Sequence, residues 1–271
     1  MITRFAPAPT GFLHLGHVVN AIQVWEAARS RDGTVLLRIE DHDRQRSRPE
    51  YEAALLEDLA WLGFNADGPL VRQSERDGIY RKALQPLIDR ELVYGCTCTR
   101  TELLPGAGRR DPGSEIRYPN TCRDWDIPLT DDVGWRVRIE AGVERFFDEI
   151  RGPQQQDPSE QCGDVLVRDR LGNWTYQFAV TVDDHAQEIT DVIRGADLLP
   201  STGRQIRLAR LIGRATPPRF AHHELVMKSA TDKLSKSDGD SGVRDLRAMG
   251  WSPARVRRLA LARAMPPSTP E

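Results

Sequence analysis

At 271 residues the chain is long enough to bury one large catalytic core, or a core carrying a small insertion, and too short for several full domains. Apolar residues make up 39% and charged residues 29%, and no segment approaches the roughly 20 consecutive apolar residues a membrane span requires, so a soluble protein with no membrane partner is expected. The formal net charge of −2 gives no overall attraction to nucleic acid, and any RNA contact must come from local basic patches.

Residues 1–7 show no charged leader followed by an apolar stretch, which predicts a cytoplasmic location. Residues 2–6 are a short extended candidate that runs into Pro7-Ala8-Pro9-Thr10-Gly11, a turn whose prolines exclude helix and whose glycine permits tight backbone geometry. Val18, Ala21, Ile22, Trp25 and Ala28 then recur at three- and four-residue steps, predicting a helix through Arg29 that Asp32-Gly33 ends. The β-rich run 35–39 delivers Glu40, Asp41 and Asp43 at its C-terminal end, where ligands bind in open α/β sheets. Amphipathic patterns over 50–62 and 76–92 predict two covering helices.

From Cys96 to about residue 161 the periodicity fades into Pro-, Gly- and Asp-rich sequence with only short strand candidates, such as 135–139, and this reads as an insertion. Strand candidates return at 164–168, 189–194 and 225–227, with helices at 176–182 and 204–212, and two short helical patterns lie at 243–249 and 253–264. The expected fold class is α/β, a Rossmann-like doubly wound parallel sheet in two halves, residues 1–95 and 163–237. The insertion 96–162 separates them, and a short helical tail, 238–271, follows.

Two short motifs carry the chemistry. His14-Leu15-Gly16-His17 sits at the N-terminus of the first long helix, where ring donors join unpaired backbone N–H groups and the positive end of the helix dipole, an arrangement suited to polyphosphate. By itself such a pair serves equally for capping, packing or metal binding. Lys233-Leu234-Ser235-Lys236-Ser237 places two lysines around small hydroxyl residues, a cationic segment able to follow phosphate charge as it develops, although lysines alone also make a solvated loop. Three of the four cysteines, Cys96, Cys98 and Cys122, cluster in sequence and point toward a metal, with Cys162 the remaining thiol. Arg204, Arg207, Arg210 and Arg214 form one basic helical stripe, and Arg255, Arg257, Arg258 and Arg263 enrich the tail. Either set could hold phosphates, or be a solvated face balanced by the 40 acidic residues.

Taken together, HLGH and KLSKS, about 220 residues apart, resemble the two signature motifs of class I aminoacyl-tRNA synthetases. The resemblance narrows to the glutamate-specific branch through Arg4-Phe5-Ala6-Pro7-Ala8-Pro9-Thr10-Gly11, Arg38-Ile39-Glu40-Asp41, Tyr176-Gln177-Phe178-Ala179-Val180 and Val192-Ile193-Arg194-Gly195-Ala196-Asp197, in family order from residue 4 to about residue 250. Within that branch the chain is most similar to the short glutamyl-queuosine tRNA(Asp) synthetase family, which lacks the anticodon-binding domain of the full synthetases. Only 34 residues follow Ser237, which favours this short form.

The resemblance implies ATP-dependent activation of L-glutamate and its transfer to queuosine in the anticodon loop of tRNA(Asp), by a monomer. His14, Gly16 and His17 are implied to contact the ATP phosphates, Lys236 and Lys233 to stabilise the transition state, and Mg²⁺ to accompany the nucleotide. Arg4, Arg194 and the hydroxyl of Tyr176 are implied to take the glutamate side-chain carboxylate, and Glu40 its ammonium. Glutamine would leave a buried arginine poorly paired. Ala8 stands where the family usually has serine, so one hydroxyl contact to the amino acid is missing. The family pattern Cys-x-Cys with a later Tyr-x-x-x-Cys implies a structural zinc held by Cys96, Cys98, Tyr118 and Cys122, with Cys162 the competing fourth ligand. Two other readings remain open from sequence: a truncated glutamyl-tRNA synthetase charging the 3′ end of tRNA(Glu), and a noncatalytic zinc-containing RNA-binding protein.

Overall fold

The computed structural model describes residues 1–103, 116–226 and 242–264. In chain order these form β1 (Ile2–Phe5), α1 (Leu15–Arg29), β2 (Thr34–Ile39), α2 (Pro49–Leu62), β3 (Val71–Arg72), α3 (Asp77–Ile88), β4 (Val93–Cys96), α4 (Arg100–Leu103), β5 (Gly134–Val137), β6 (Glu144–Asp148) and β7 (Gly152–Gln156). There follow α5 (Pro158–Cys162), β8 (Val165–Arg168), α6 (Tyr176–Ala186), β9 (Asp191–Gly195), α7 (Thr202–Leu211), β10 (Arg219–His223), α8 (Val243–Ala248) and α9 (Pro253–Ala264). No described helix is long and apolar enough to cross a membrane.

The chain divides into two compact units. The first comprises Met1–Glu75, Ile189–Leu199 and Pro218–Glu271. Its strands are parallel: β1 pairs with β2 (Phe5 opposite Leu37), β2 with β3, and β9 with β10 (Arg194 opposite His222). The Thr190 amide donates to the Ile2 carbonyl at 2.8 Å, which ties the entry of β9 to β1. Helix α2 begins with Pro49 in its first turn and stops at Gly63, whose φ of 76° is the left-handed conformation that favours glycine. Its core joins Phe5, Val18, Ile22 and Trp25 to Val35 and Ile39, and also takes in Val243, Leu246, Val256 and Ala260 from α8 and α9. The helical tail is thus part of the first unit's core rather than a segment apart.

The second unit comprises Arg76–Glu188 and Pro200–Pro217. Strands β4, β5 and β8 form an antiparallel sheet, and β6 and β7 form an antiparallel hairpin. Its core brings Tyr80, Leu84 and Leu87 of α3, Val137, Val165, Phe178 and Leu208 together. Within it Asp183 receives the Tyr80 hydroxyl at 2.9 Å and Arg76 Nε at 2.5 Å. The divisions expected at 95/96 and 162/163 differ from these: α3, β8, α6 and α7, all assigned from sequence to the catalytic halves, bury their apolar faces in the interrupting unit. Of the strand expected at 225–227, Leu225 and Val226 have no regular structure and Met227 lies outside the described residues; the regular strand is β10, which ends at His223.

Candidate active site and metal centre

Five side chains of the first unit lie at or near the C-terminal ends of its parallel strands, the edge where open α/β sheets bind ligands. Arg4 is on β1, Glu40 follows β2, Arg194 is on β9, and His222 and His223 end β10. Arg4, Glu40 and Arg194 are buried, a placement charged residues tolerate only when paired or when held for a ligand. Glu40 accepts from Arg38 Nη2 at 3.4 Å, and its amide donates to the Pro7 carbonyl at 3.0 Å, so the proline turn is fastened to the end of β2. Ala8 belongs to that turn, its carbonyl accepting from the Thr10 amide at 2.9 Å.

The HLGH segment opens α1 as a reciprocal capping box. His14 is the N-cap: its Nδ1 accepts from the Gly16 amide at 3.1 Å, while His17 Nδ1 accepts from the His14 amide at 3.1 Å. Both Nδ1 atoms therefore carry lone pairs, and each neutral ring has its proton on Nε2. The rings lie 3.9 Å apart between centroids. A Cβ on Gly16 would stand 2.9 Å from His14 Cε1, so glycine here lets the His14 ring fold back onto the helix start. The result is two imidazole N–H donors beside a positive helix end, which suits an anion. Lys233 and Lys236 lie outside the described residues.

Tyr176 belongs to the second unit, at the first position of α6, and is half-buried. It lines a cavity of 560 Å³ with Gln177, Arg136, Arg204 and Cys98.

The cysteine cluster is also in the second unit. The sulfurs of Cys96, Cys98 and Cys122 all lie within 4.8 Å of one another, and this cluster could hold a metal ion. The Tyr118 hydroxyl is 3.4 Å from Cys96 Sγ and 3.9 Å from Cys98 Sγ, and it accepts from the Cys122 amide at 2.9 Å. Tetrahedral zinc with Zn–S bonds of about 2.3 Å needs sulfurs about 3.8 Å apart, so the donor set fits with little movement. Cys162 is elsewhere: its thiol donates to the Pro158 and Gly163 carbonyls at 3.0 and 3.3 Å. Gly163 holds a φ of 66°, and a Cβ there would fall 2.1 Å from the Tyr118 carbonyl, so that close approach seats the tyrosine. Burial pushes the Cys98 thiol up to about 12, whereas at Cys122 burial is outweighed by hydrogen bonding with Tyr118, the Thr97 backbone and the neighbouring thiols, bringing it down to about 7. Arg136 belongs to none of the sequence motifs. Its Nε donates to Cys96 Sγ at 3.2 Å and its guanidinium lies 3.5 Å over the Tyr118 ring, placing a cation against the thiolates a metal would create.

The two arginine sets part company. On α7, Arg207 and Arg210 both pair with buried Glu144 and Arg204 is buried, whereas Arg214 lies beyond the end of that helix, its Nη1 donating to the Asp184 carbonyl at 2.9 Å. On α9, Arg257 reaches the Leu62 carbonyl and Arg255 lies 3.6 Å over the Trp251 ring, with Arg255, Arg258 and Arg263 exposed.

The histidine pair caps α1, and buried arginines stand at the ends of the first unit's parallel strands. The family described as tRNA synthetases class I (E and Q), catalytic domain, matches residues 1–269, and the chain belongs to it. More narrowly, it stands among the glutamyl-Q tRNA(Asp) synthetases. The one from Rhodobacter capsulatus is 42% identical over 96% of this chain and 99% of that protein, and the one from Bordetella bronchiseptica is 46% identical over 88% and 75%. The glutamate–tRNA ligase of Thermosynechococcus vestitus is 39% identical over 97% of this chain, which spans 57% of that protein. Among solved structures, the glutamate-tRNA synthetase of Elizabethkingia anophelis matches with a TM-score of 0.74 at 30% identity over 93% of this chain, which spans 54% of that one.

Proposed function

We propose that the protein activates L-glutamate with ATP to glutamyl-adenylate and transfers the glutamyl group to queuosine in the anticodon loop of tRNA(Asp), acting as a cytoplasmic monomer. The observation that carries this reading is the match of 99% of the Rhodobacter capsulatus glutamyl-Q tRNA(Asp) synthetase by this chain. The truncated glutamyl-tRNA synthetase reading is weaker because the glutamate–tRNA ligase of Thermosynechococcus vestitus is 39% identical to this chain, against 42% and 46% for the two glutamyl-Q tRNA(Asp) synthetases.

In the first step a glutamate α-carboxylate oxygen attacks the α-phosphorus of ATP, a P–O bond forms, and the bond to the β-phosphate breaks to release pyrophosphate. Two anions must meet, so cations and oriented donors must offset the charge. The Nε2–H groups of His14 and His17 and the start of α1 supply donors for the phosphates, with Gly16 allowing close approach, and Lys236 with Lys233 neutralises developing charge. Mg²⁺, when bound with ATP, screens the phosphate oxygens. Arg194 and Arg4, with the Tyr176 hydroxyl, take the glutamate side-chain carboxylate, and Glu40 takes its ammonium; Ala8 offers no hydroxyl. In the second step a queuosine nucleophile attacks the acyl carbon and AMP leaves.

Zinc held by Cys96, Cys98, Tyr118 and Cys122 is a structural element of this proposal; it would fasten β4 to the segment carrying Tyr118.

The test is glutamate-dependent ATP–pyrophosphate exchange without tRNA, run beside glutamine and aspartate, followed by mapping of the glutamylated nucleotide. Exchange with glutamate alone and label in the anticodon loop of queuosine-containing tRNA(Asp) is expected. Label at the 3′ end of tRNA(Glu) would instead establish the truncated synthetase, and no exchange would establish a noncatalytic protein. Lys236→Ala is expected to lower exchange on the order of 10²- to 10³-fold.

A further inference from the structure

We propose that His222 is a positioning residue for glutamate selection, holding the Arg194 guanidinium in the plane from which it receives the substrate carboxylate. Arg194 and His222 lie opposite each other on the parallel strands β9 and β10. They are 3% and 0% exposed, and Arg194 Nε donates to His222 Nε2 at 2.9 Å. An arginine has donors only and stays protonated. His222 Nε2 must therefore carry the lone pair, which fixes this ring as the Nδ1–H tautomer.

The consequence is orientational. A guanidinium is a flat fork, and bonding it through Nε to a ring fixed on the neighbouring strand removes rotation about the end of the side chain, which sets the plane of both Nη groups. The same ring system supports it from the side: the guanidinium lies 5.9 Å from the Phe220 centroid, and Phe220 stacks with His222 at 6.1 Å and 16°. A side chain ordered before the ligand arrives loses less freedom on binding, and a fork held in one plane distinguishes a carboxylate from an amide more sharply than a mobile one. No sequence motif marks His222, since a histidine in a strand reads as an ordinary core residue; the signal is the register that sets it beside Arg194.

This inference rests on the reading of Arg194 as the carboxylate partner, and the experiment separates the two. Glutamate and glutamine kinetics are measured by ATP–pyrophosphate exchange for Arg194→Lys, His222→Leu and His222→Gln, each checked for folding by thermal melting. Arg194→Lys is expected to raise the KM for glutamate; no change would remove the glutamate role of Arg194 itself. His222→Leu is expected to raise that KM on the order of 10-fold or more, to leave kcat and the ATP KM within about 3-fold, and to narrow the preference for glutamate over glutamine. His222→Gln, whose carbonyl can accept the same Nε–H, should recover most of the loss. A folded His222→Leu with an unchanged glutamate KM and selectivity, in a protein where Arg194→Lys is impaired, overturns the positioning role. Should His222→Leu not fold, the ¹⁵N shifts of the wild-type ring decide: an Nδ1–H ring supports the proposal and an Nε2–H ring overturns it.

Discussion

The Asp58 carboxylate on α2 lies 3.7 Å from Arg247 Nη1 on α8, fully buried, with neither of its oxygens accepting a hydrogen bond. That distance is too long for a hydrogen bond, so the carboxylate is desolvated and only loosely compensated. Burial holds Asp58 above the ordinary carboxylate range, against the pull of Arg244 and Arg247. A carboxyl raised in this way takes its proton in the folded state first as the pH falls, so acidification from that raised value toward the unfolded value of about 3.9 stabilises the fold through this group. Asp58→Asn is expected to be at least as stable as wild type at pH 8, by an amount on the order of 1 kcal/mol. Its advantage in Tm should shrink as the pH is lowered into that window. Melting curves at several pH values check this, and an advantage that grows on acidification would refute it.

The capping role of the histidine pair can be separated from its proposed phosphate role. Asparagine is a strong N-cap, and glutamine at the third helical position can complete a capping box. His14→Asn and His17→Gln should therefore keep Tm within a few degrees while removing an Nε2–H donor each. Exchange is expected to fall on the order of 10²-fold or more for either. A variant that loses stability in proportion to activity would mean that these residues act only as caps.

Local patterning makes the first unit readable. The period-3.6 run from Val18 to Ala28 lies inside α1, which begins three residues earlier, and the β-rich run before Glu40 and the helical patterns at 243–249 and 253–264 appear within a residue as β2, α8 and α9. What stays hidden depends on long-range burial. Sequence shows that α3 and α7 are amphipathic but not which core their faces enter, and both enter the second unit. The β6–β7 hairpin is hard to see because its outward positions, Arg145, Phe147, Pro153 and Gln155, and its glutamine-rich second strand blur the alternation. The arginine stripe of α7 looks available for RNA because its carboxylate partner, Glu144, is some 60 residues away in sequence. The Cys-x-Cys and Tyr-x-x-x-Cys spacing points to the metal cluster, yet not to Arg136, whose contact with Cys96 needs the pairing of β4 with β5.

A metal at the cysteine cluster has direct consequences. One zinc per chain is expected by a colorimetric release assay, and a strong chelator should lower Tm by several degrees. Cys98→Ser and Cys122→Ser should abolish tight binding, while Cys162→Ser should leave the stoichiometry at one, since that thiol is engaged with Pro158 and Gly163. Tyr118→Phe distinguishes a tyrosine ligand from a tyrosine that only packs, with a loss of at least about 10-fold in zinc affinity expected; Arg136→Met should weaken it about 10- to 100-fold by removing the cation beside Cys96. Zinc affinity unchanged in Tyr118→Phe would return the fourth position to another group.

The two arginine sets make opposite predictions, because one already has partners inside the fold. Arg207→Ala leaves Glu144, 1% exposed, with Arg210 as its remaining ion pair, and should lower stability by about 2 kcal/mol. Its effect on tRNA should follow that instability. Arg258→Ala with Arg263→Ala changes only exposed side chains of α9, so Tm and tRNA-independent exchange should stay at wild-type values. If these groups meet RNA phosphates, transfer to tRNA should weaken several-fold, and the logarithmic salt dependence of tRNA binding should become shallower by about 0.7 to 0.9 for each phosphate left without its arginine. The salt slope decides between the phosphate-binding and solvated-face readings, because a solvated face releases no counterions on binding: an identical slope in the double variant would assign α9 to solvent.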